Sequence, residues 1–328
     1  MIRKALLLCF ALSASLLTPV TSSAATPVNL CVAYDLGGPG DRSYNDAVLA
    51  GLVKAKKTLN FTFEGYVNDG SDEDRGTRIR EMIVQGCSTI LVIGSGYSKL
   101  LKELAIEFPN QQFAILNDAS ISSLNVTSLI FADKQVGYLA GAAAARVSKT
   151  GKVAVISKAK NTDLEIGFTL GATSVNKKVK ITIKEVAEDL ADQTKSLIAA
   201  GNDVIFIAID GSDNEIFSEV VKYNVNKKKN VAEVGVITIE PDQYLTVGSS
   251  TKKYLLAAIS KRVDNAILDL ASTVIKDQQI LNILDSELGI YGRRYGISGG
   301  NIELSIWSPK LQALKAANAS SSRIAAKL

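Results

Sequence analysis

The residues best placed to do chemistry in this chain are polar side chains that directly follow short apolar runs. Asp35 ends the run 28–34, Asn117 and Asp118 follow 112–116, Asp210 follows 203–209 and Glu240 follows 234–239. In open parallel sheets a ligand sits beyond the carboxyl ends of the strands, so these groups fall where a polar solute would be held. Gly37, Gly38 and Gly40 stand after the first run and ahead of a helical pattern. Glycines there let the backbone turn tightly and aim amide N–H groups at a ligand, although a plain strand-to-helix turn asks for the same residues. Ser43 occupies the third glycine position of a G-x-G-x-x-G pattern begun at Gly38, so the dinucleotide fingerprint is incomplete. The chain contains no histidine, which removes Ser-His-Asp and Cys-His nucleophile systems and every His-based zinc site. The chemistry expected is noncovalent capture, with no catalysis and no cofactor.

These groups need a scaffold, and the apolar pattern supplies one. Val- and Ile-rich runs at 28–34, 61–66, 89–93, 112–116 and 126–131 alternate with helix-length segments, and the pattern restarts at 152–157, 180–186, 203–209 and 234–239. Helical stretches at 192–200 and 215–223 fill two of the later gaps. Strands flanked by helices and buried on both faces make parallel sheets. Two successive sets make two similar α/β lobes. The segment 252–277 reads as one long amphipathic helix, because Leu255, Ile259, Val263, Ile267, Leu270 and Val274 recur at three- and four-residue spacing. Beyond Lys310 the chain is rich in Ala, Ser and Lys, which suits a final helix or a frayed tail.

Arg3 and Lys4, an apolar stretch to Val20 and a small-residue finish at Ala24 and Ala25 read as a cleaved secretory leader over 1–25. The expected location is the periplasm or cell envelope, in soluble form. Neither Cys9 nor Cys31 has the small-residue context of a lipid-attached cysteine. Without Arg3 and Lys4 the chain carries 35 basic residues against 33 acidic ones, a balance that leaves no footprint for nucleic acid. Export permits a Cys31–Cys87 bridge, but two buried free thiols are the expectation.

The segment Asp35-Leu-Gly-Gly-Pro-Gly-Asp41-Arg-Ser43-Tyr44-Asn45-Asp46 resembles the opening signature of the basic membrane protein family, the PnrA-like nucleoside-binding lipoproteins that serve ABC importers. The resemblance continues through Gly94-Ser-Gly-Tyr-Ser98, the run from Phe108 to Leu116, Tyr138-Leu-Ala-Gly141, Gly167-Phe-Thr-Leu-Gly-Ala172 and Asp242-Gln243, and covers about residues 28 to 275. It implies a two-lobed type I periplasmic-binding-protein-like fold, each lobe a parallel sheet sandwiched by helices. It also implies a ligand-binding set, carried over by position. Tyr44 takes the place of a ring that stacks on a purine and Asn45 that of a hydrogen-bonding amide. Asn117 matches a ribose-gripping aspartate, or Asp118 does if the alignment slips by one. Glu240 matches a second such aspartate, and Lys252 matches the family's lysine. Two positions depart from the pattern: Leu164 stands where a second stacking Phe is usual, and Asp210-Gly211-Ser212-Asp213 replaces a glycine-rich loop. Losing one side of an aromatic clamp forfeits about 1–3 kcal/mol of stacking, enough to change ligand class. Each residue also has a plainer use: Asp210 as a helix cap, Tyr44 as a half-buried packing residue.

The resulting expectation is a monomeric solute-binding protein that closes around a small polar ligand, a purine nucleoside first, and presents it to a membrane permease. The alternatives are a ligand sensor or surface interaction protein on the same fold, or a binder of a flavin, sugar or amino compound. Lobe 1 is expected to hold 26–131 and 246–285, and lobe 2 to hold 132–245 and 286–320, with 321–328 as a tail. The chain would cross between them near 131–133, 241–246 and 285–288.

Overall fold

The computed structural model describes residues 28–41, 43–157, 160–186, 188–209, 214–239 and 247–328. Strand and helix alternate through its first part as β1 (Asn29–Ala33), α1 (Tyr44–Lys56), β2 (Thr62–Tyr66), α2 (Asp72–Val84), β3 (Thr89–Ile93), α3 (Ser98–Glu107), β4 (Gln112–Leu116) and β5 (Val126–Phe131). Every residue of β3 and β5 is buried, which requires a covering layer on both faces of the sheet. Local chemistry sets where the helices begin. At the head of α2 the Ser71 hydroxyl accepts the Asp74 N–H at 3.1 Å, and Asp72, Glu73 and Asp74 sit in the first turn, where the helix dipole favours negative charge.

The second part runs α4 (Asp133–Val147), β6 (Lys152–Ser157), α5 (Thr162–Val175), β7 (Lys180–Glu185), α6 (Leu190–Ala199), β8 (Val204–Ala208), α7 (Asn214–Asn226), β9 (Gly235–Thr238), α8 (Ser249–Lys252) and β10 (Leu255–Lys261). It closes with α9 (Val263–Val274), β11 (Asn282–Asp285), β12 (Ile290–Tyr295), β13 (Ile302–Ile306), α10 (Pro309–Gln312) and α11 (Lys315–Ala325). The described strands form two sheets, ordered β11-β12-β5-β4-β3-β1-β2 and β13-β10-β9-β8-β6-β7. Pairing is parallel except at the hairpin β11-β12 and at β10-β13. The fold is therefore α/β, with two helix-covered, mostly parallel sheets.

The two halves are joined through a shared core. Val136, Leu139, Ala140 and Ala143 of α4 belong to the same buried cluster as Leu30, Val48 and Leu52 of the first half and Val153 and Phe206 of the second. Against α4 lies α5, at unusually close range. A Cβ added at Gly137 or Gly141 of α4 would collide with the carbonyl oxygen of Leu164 or Phe168, and one at Gly167 or Gly171 of α5 with that of Lys134 or Tyr138. Backbone meets backbone along this seam, which explains why both helices carry glycines four residues apart.

Several expectations need correction. The segment 252–277 is not one helix: it is the end of α8, then β10, then α9. Leu255, Ala257, Ala258 and Ile259 are buried between β9 and β13, so the apolar residues at three- and four-residue spacing serve a strand first and a helix afterwards. The crossings between sheets come after Phe131, after Lys261 and after Tyr295. The last two stand later than the expected 241–246 and 285–288, because β10 joins the second sheet and β12 the first. Cys31 and Cys87 are joined by a disulfide, with Cα atoms 5.8 Å apart, so they are not free thiols. Parallel pairing of β1 with β3 brings Cys31 opposite Ile90 and within reach of Cys87. Residues 315–325 form a helix, one of the two expected alternatives, so the tail expected from 321 is helical as far as Ala325: Arg146 of α4 donates to the Ala317 carbonyl at 3.0 Å and to the Ser321 hydroxyl at 2.7 Å.

Candidate functional site

At the carboxyl ends of β1, β3 and β4 the first sheet opens into a cleft of about 490 Å³ whose walls include Asp35, Ser43, Tyr44, Asn45, Ser95 and Asn117. The loop between β1 and α1 builds one wall. Gly37 and Gly40 have φ of 90° and 104°, a region that side chains rarely enter. Asn45, 1% exposed, pins this loop from inside: its Oδ1 accepts the Asp35 N–H at 3.0 Å, and its Nδ2 donates to the Gly38 carbonyl at 3.1 Å and the Asp35 carbonyl at 3.4 Å. The Asn45 amide is thus occupied by the loop it shapes. The head of α1 is likewise occupied. The Asp41 carboxylate accepts N–H bonds from Ser43, Asn45 and Asp46 at 2.9, 3.1 and 3.2 Å. The expectation that these amides aim at a ligand gives way to an internal carboxylate cap.

Asp35 is the open carboxylate of this wall. Its side chain is 48% exposed, and Arg75 of α2 approaches Oδ1 at 3.4 Å. Arg75 is held in turn by the Gly96 carbonyl at 3.2 Å and lies 5.0 Å from the Tyr97 ring centroid. Tyr97 donates to the Tyr34 carbonyl at 2.6 Å, and burial pushes its phenol well above the ordinary range. At the end of β4, Asn117 adopts φ of 62° and lines the cleft. Its neighbour Asp118 turns to other work, accepting from Ser98 Oγ at 2.8 Å and from Ser120 N–H and Oγ at 2.7 Å each.

Beside Tyr44 lies a charged cluster between the two halves, one the sequence reading did not pick out. Lys261, at the carboxyl end of β10, is 6% exposed and pairs with Asp133 at 2.9 Å. Its ammonium is 6.0 Å from the centroid of the Tyr44 ring and 5.9 Å from that of Phe131. Asn161, the N-cap of α5, donates to the other Asp133 oxygen at 2.7 Å. Burial raises the Asp133 pKa, but the Lys261 charge and the hydrogen bonds from Asn161 and Lys261 outweigh it and hold the carboxyl below its ordinary value. Lys252, by contrast, closes α8 ahead of the amino end of β10, the opposite end of that strand. Recognising β10 as a strand would have pointed to Lys261 by the same end-of-strand logic that singled out Asp35. Leu164 is 2% exposed, lies in the α4–α5 seam and offers no surface to the cleft. Asp210, Gly211 and Glu240 lie outside the described residues.

Chemically, the cleft offers a carboxylate, an amide, an aromatic face and a nearby ammonium. Ser43 and Ser95 line it, but the chain contains no histidine to activate them. Among the described residues no group of three His, Cys, Asp or Glu side chains could hold a metal ion, and no helix is long and apolar enough to cross a membrane.

A family model described as ABC transporter substrate-binding protein PnrA-like matches residues 29–301. The chain is 33% identical to a CD4+ T-cell-stimulating antigen of Listeria monocytogenes, over 73% of this chain and 71% of that protein. It is 28% identical to the ABC transporter nucleoside-binding protein BmpA of Lactococcus lactis, over 75% and 74%. Its fold is similar to the solved structure of an ABC transporter system solute-binding protein from Aeropyrum pernix, with a TM-score of 0.67, 18% identity and coverage of 91% of this chain and 85% of that one.

Proposed function

Since the chain belongs to the PnrA-like family of ABC transporter substrate-binding proteins, we propose that it captures a purine nucleoside in the cleft at the end of β1, closes over it about the connections between its two sheets, and releases it unchanged to a membrane permease. The observation that carries this reading is that Asp35 and Tyr44 line one cleft of about 490 Å³. A carboxylate accepts two hydrogen bonds from the neighbouring hydroxyls of a ribose, and a tyrosine ring stacks on a base. The nucleoside named for the Lactococcus lactis relative supports the same ligand class. In this reading Asn45 and Arg75 are positioning residues: one shapes the loop that carries Asp35 and the other faces its carboxylate. Ligand stabilises the closed form through contacts made from both halves, and only through them. The carrier is a monomer and no bond in the solute is made or broken.

The test is titration calorimetry of the leaderless protein with inosine, guanosine, adenosine, ribose and glucose, followed by chromatography of the recovered solute. Nucleosides bind and come back intact. Tyr44→Ala weakens binding by about 5- to 150-fold, the equivalent of about 1–3 kcal/mol of stacking. Equal affinity in that variant removes the stacking role, binding of a hexose without nucleosides replaces the ligand class, and a released base overturns the noncatalytic reading.

A further inference from the structure

The amino ends of the second sheet form a rim with one sign of charge. The parallel register sets Lys152 beside Lys180, Val153 beside Val204 and Val204 beside Gly235, so the segments preceding β6, β7, β8 and β9 share one edge of the lobe. The antiparallel strand β13 ends at the same edge, opposite Ala257. Exposed on it are Lys149, Lys177, Lys178, Lys180, Lys228, Lys229, Lys253 and Lys310, and none of these eight forms an ion pair among the described residues. Two carboxylates accompany them in the segments before β8 and β9. Asp203 is buried, its oxygens taken by Ser148 Oγ at 2.6 Å and the N–H groups of Lys149 and Thr150 at 2.6 and 3.0 Å. Glu233 alone of the two is exposed.

Lysines at helix carboxyl ends are ordinary partners of the helix dipole. That accounts for Lys149, Lys177 and Lys253, the C-cap of α8, but not for Lys180 or Lys310, which begin a strand and a helix. The acids of this lobe gather at its other end, in the first turns of α5 (Asp163, Glu165), α6 (Asp192) and α7 (Glu215). This lobe thus carries a basic rim at one end and most of its acids at the other, where lysines such as Lys195 and Lys261 are ion-paired. Within the rim, a hollow of about 290 Å³ is lined by Lys149, Lys253 and Lys310, by the carboxylates of the internally bonded Asp203 and of Glu233, and by apolar residues such as Leu256.

We propose that this rim docks on an anionic lipid bilayer, the hollow taking a headgroup phosphate with its glycerol. This rests on the export reading of the leader, which puts the protein beside a membrane. Compact ammonium charges without arginine forks suit diffuse headgroup charge. Arg146 lies near this edge, and α11 engages it. Single-stranded nucleic acid would call for stacked aromatic rings among the charges, and Tyr254 is the aromatic side chain of the hollow. Attachment by the rim holds the carrier at the membrane while leaving the cleft, at the far end of the strands, open for loading.

The test is cosedimentation of the leaderless protein with phosphatidylcholine vesicles, with and without phosphatidylglycerol. The expected result is binding to the anionic vesicles alone, lost in salt high enough to shrink the screening length well below about 8 Å. Replacing Lys178, Lys228, Lys253 and Lys310 with alanine weakens binding by about a hundredfold or more. Replacing Lys56, Lys57, Lys99 and Lys102 on the first half does not, and both variants keep the cleft ligand affinity of the parent. Binding that ignores phosphatidylglycerol, or that survives in the rim variant, overturns the proposal. Retention on heparin beads without vesicle binding overturns it in favour of a soluble polyanion.

Discussion

The Cys31–Cys87 disulfide should be the largest single contributor to the stability of the first half. The two residues are 56 apart in sequence, so the bond closes a loop that holds β1, α1, β2 and α2. Loop-closure entropy for a ring of that size is worth about 4 kcal/mol at 25 °C. That ring also carries the glycine loop, Tyr44 and Arg75, so its loosening reaches the cleft. The perturbation is the double substitution Cys31→Ala and Cys87→Ala, compared with the oxidised parent and with the parent held in reductant. Urea unfolding followed by tryptophan fluorescence and circular dichroism should show a loss of about 3–4 kcal/mol in both treatments, equivalent to about 6–16 °C in Tm. Oxidised leaderless protein, denatured without reductant, should show no thiol reactive to Ellman's reagent. Two reactive thiols per chain, or a double variant within about 1 kcal/mol of the parent, would refute the reasoning.

Gly141→Ala should be poorly tolerated despite the high helix propensity of alanine. The new methyl meets the Phe168 carbonyl oxygen across the α4–α5 seam, so the helices must part, at a cost of about 3 kcal/mol or more; thermal unfolding measures it, and a neutral outcome would mean the seam is looser than described. Asp264 of α9 gives an acid-limb prediction. Hydrogen bonds from Arg262 at 2.9 Å each and from Lys54 at 2.7 Å overcome partial burial and hold its carboxyl down to about 2. A depressed carboxyl stabilises the fold above its unfolded value near 4, and that stabilisation is lost as pH falls through the folded value near 2. Asp264→Asn should therefore cost about 1–2 kcal/mol at pH 6, after allowance for solvent screening, and flatten the loss of stability between about pH 4 and pH 2; parallel acid limbs for the two proteins would contradict this.

Much of the architecture was written in local pattern. Apolar runs such as 90–93 and 204–209 are continuous because strands buried on both faces disfavour polar alternation, and so they stand out in the sequence. Asp35 and Asn117 were legible because they follow such runs, and Tyr44 because of its place in the family resemblance; all three line the cleft. The segment 252–277 misled because Leu255 and Ile259 satisfy a four-residue spacing whether they sit on one face of a helix or, as they do, on the same face of a buried strand. Spacing alone cannot choose, and the neighbours β9 and β13 do. Lys261 went unrecognised as a result, since its place at the end of β10 exists only once β10 is a strand.

The sequence by itself determined the class of fold, through the alternation of apolar strand and helix, and excluded histidine chemistry outright. Tertiary structure decided which polar groups are available. Asn45 turned inward to its own loop, Asp41 closed the head of α1, Asp118 went to Ser98 and Ser120, and Asp35 was left half exposed beside Arg75. Hydrogen-bonding capacity belongs to each side chain, but whether it is already spent depends on partners brought from distant parts of the chain. The disulfide is the same lesson in covalent form: two cysteines 56 residues apart carry no pairing information until β1 and β3 lie side by side.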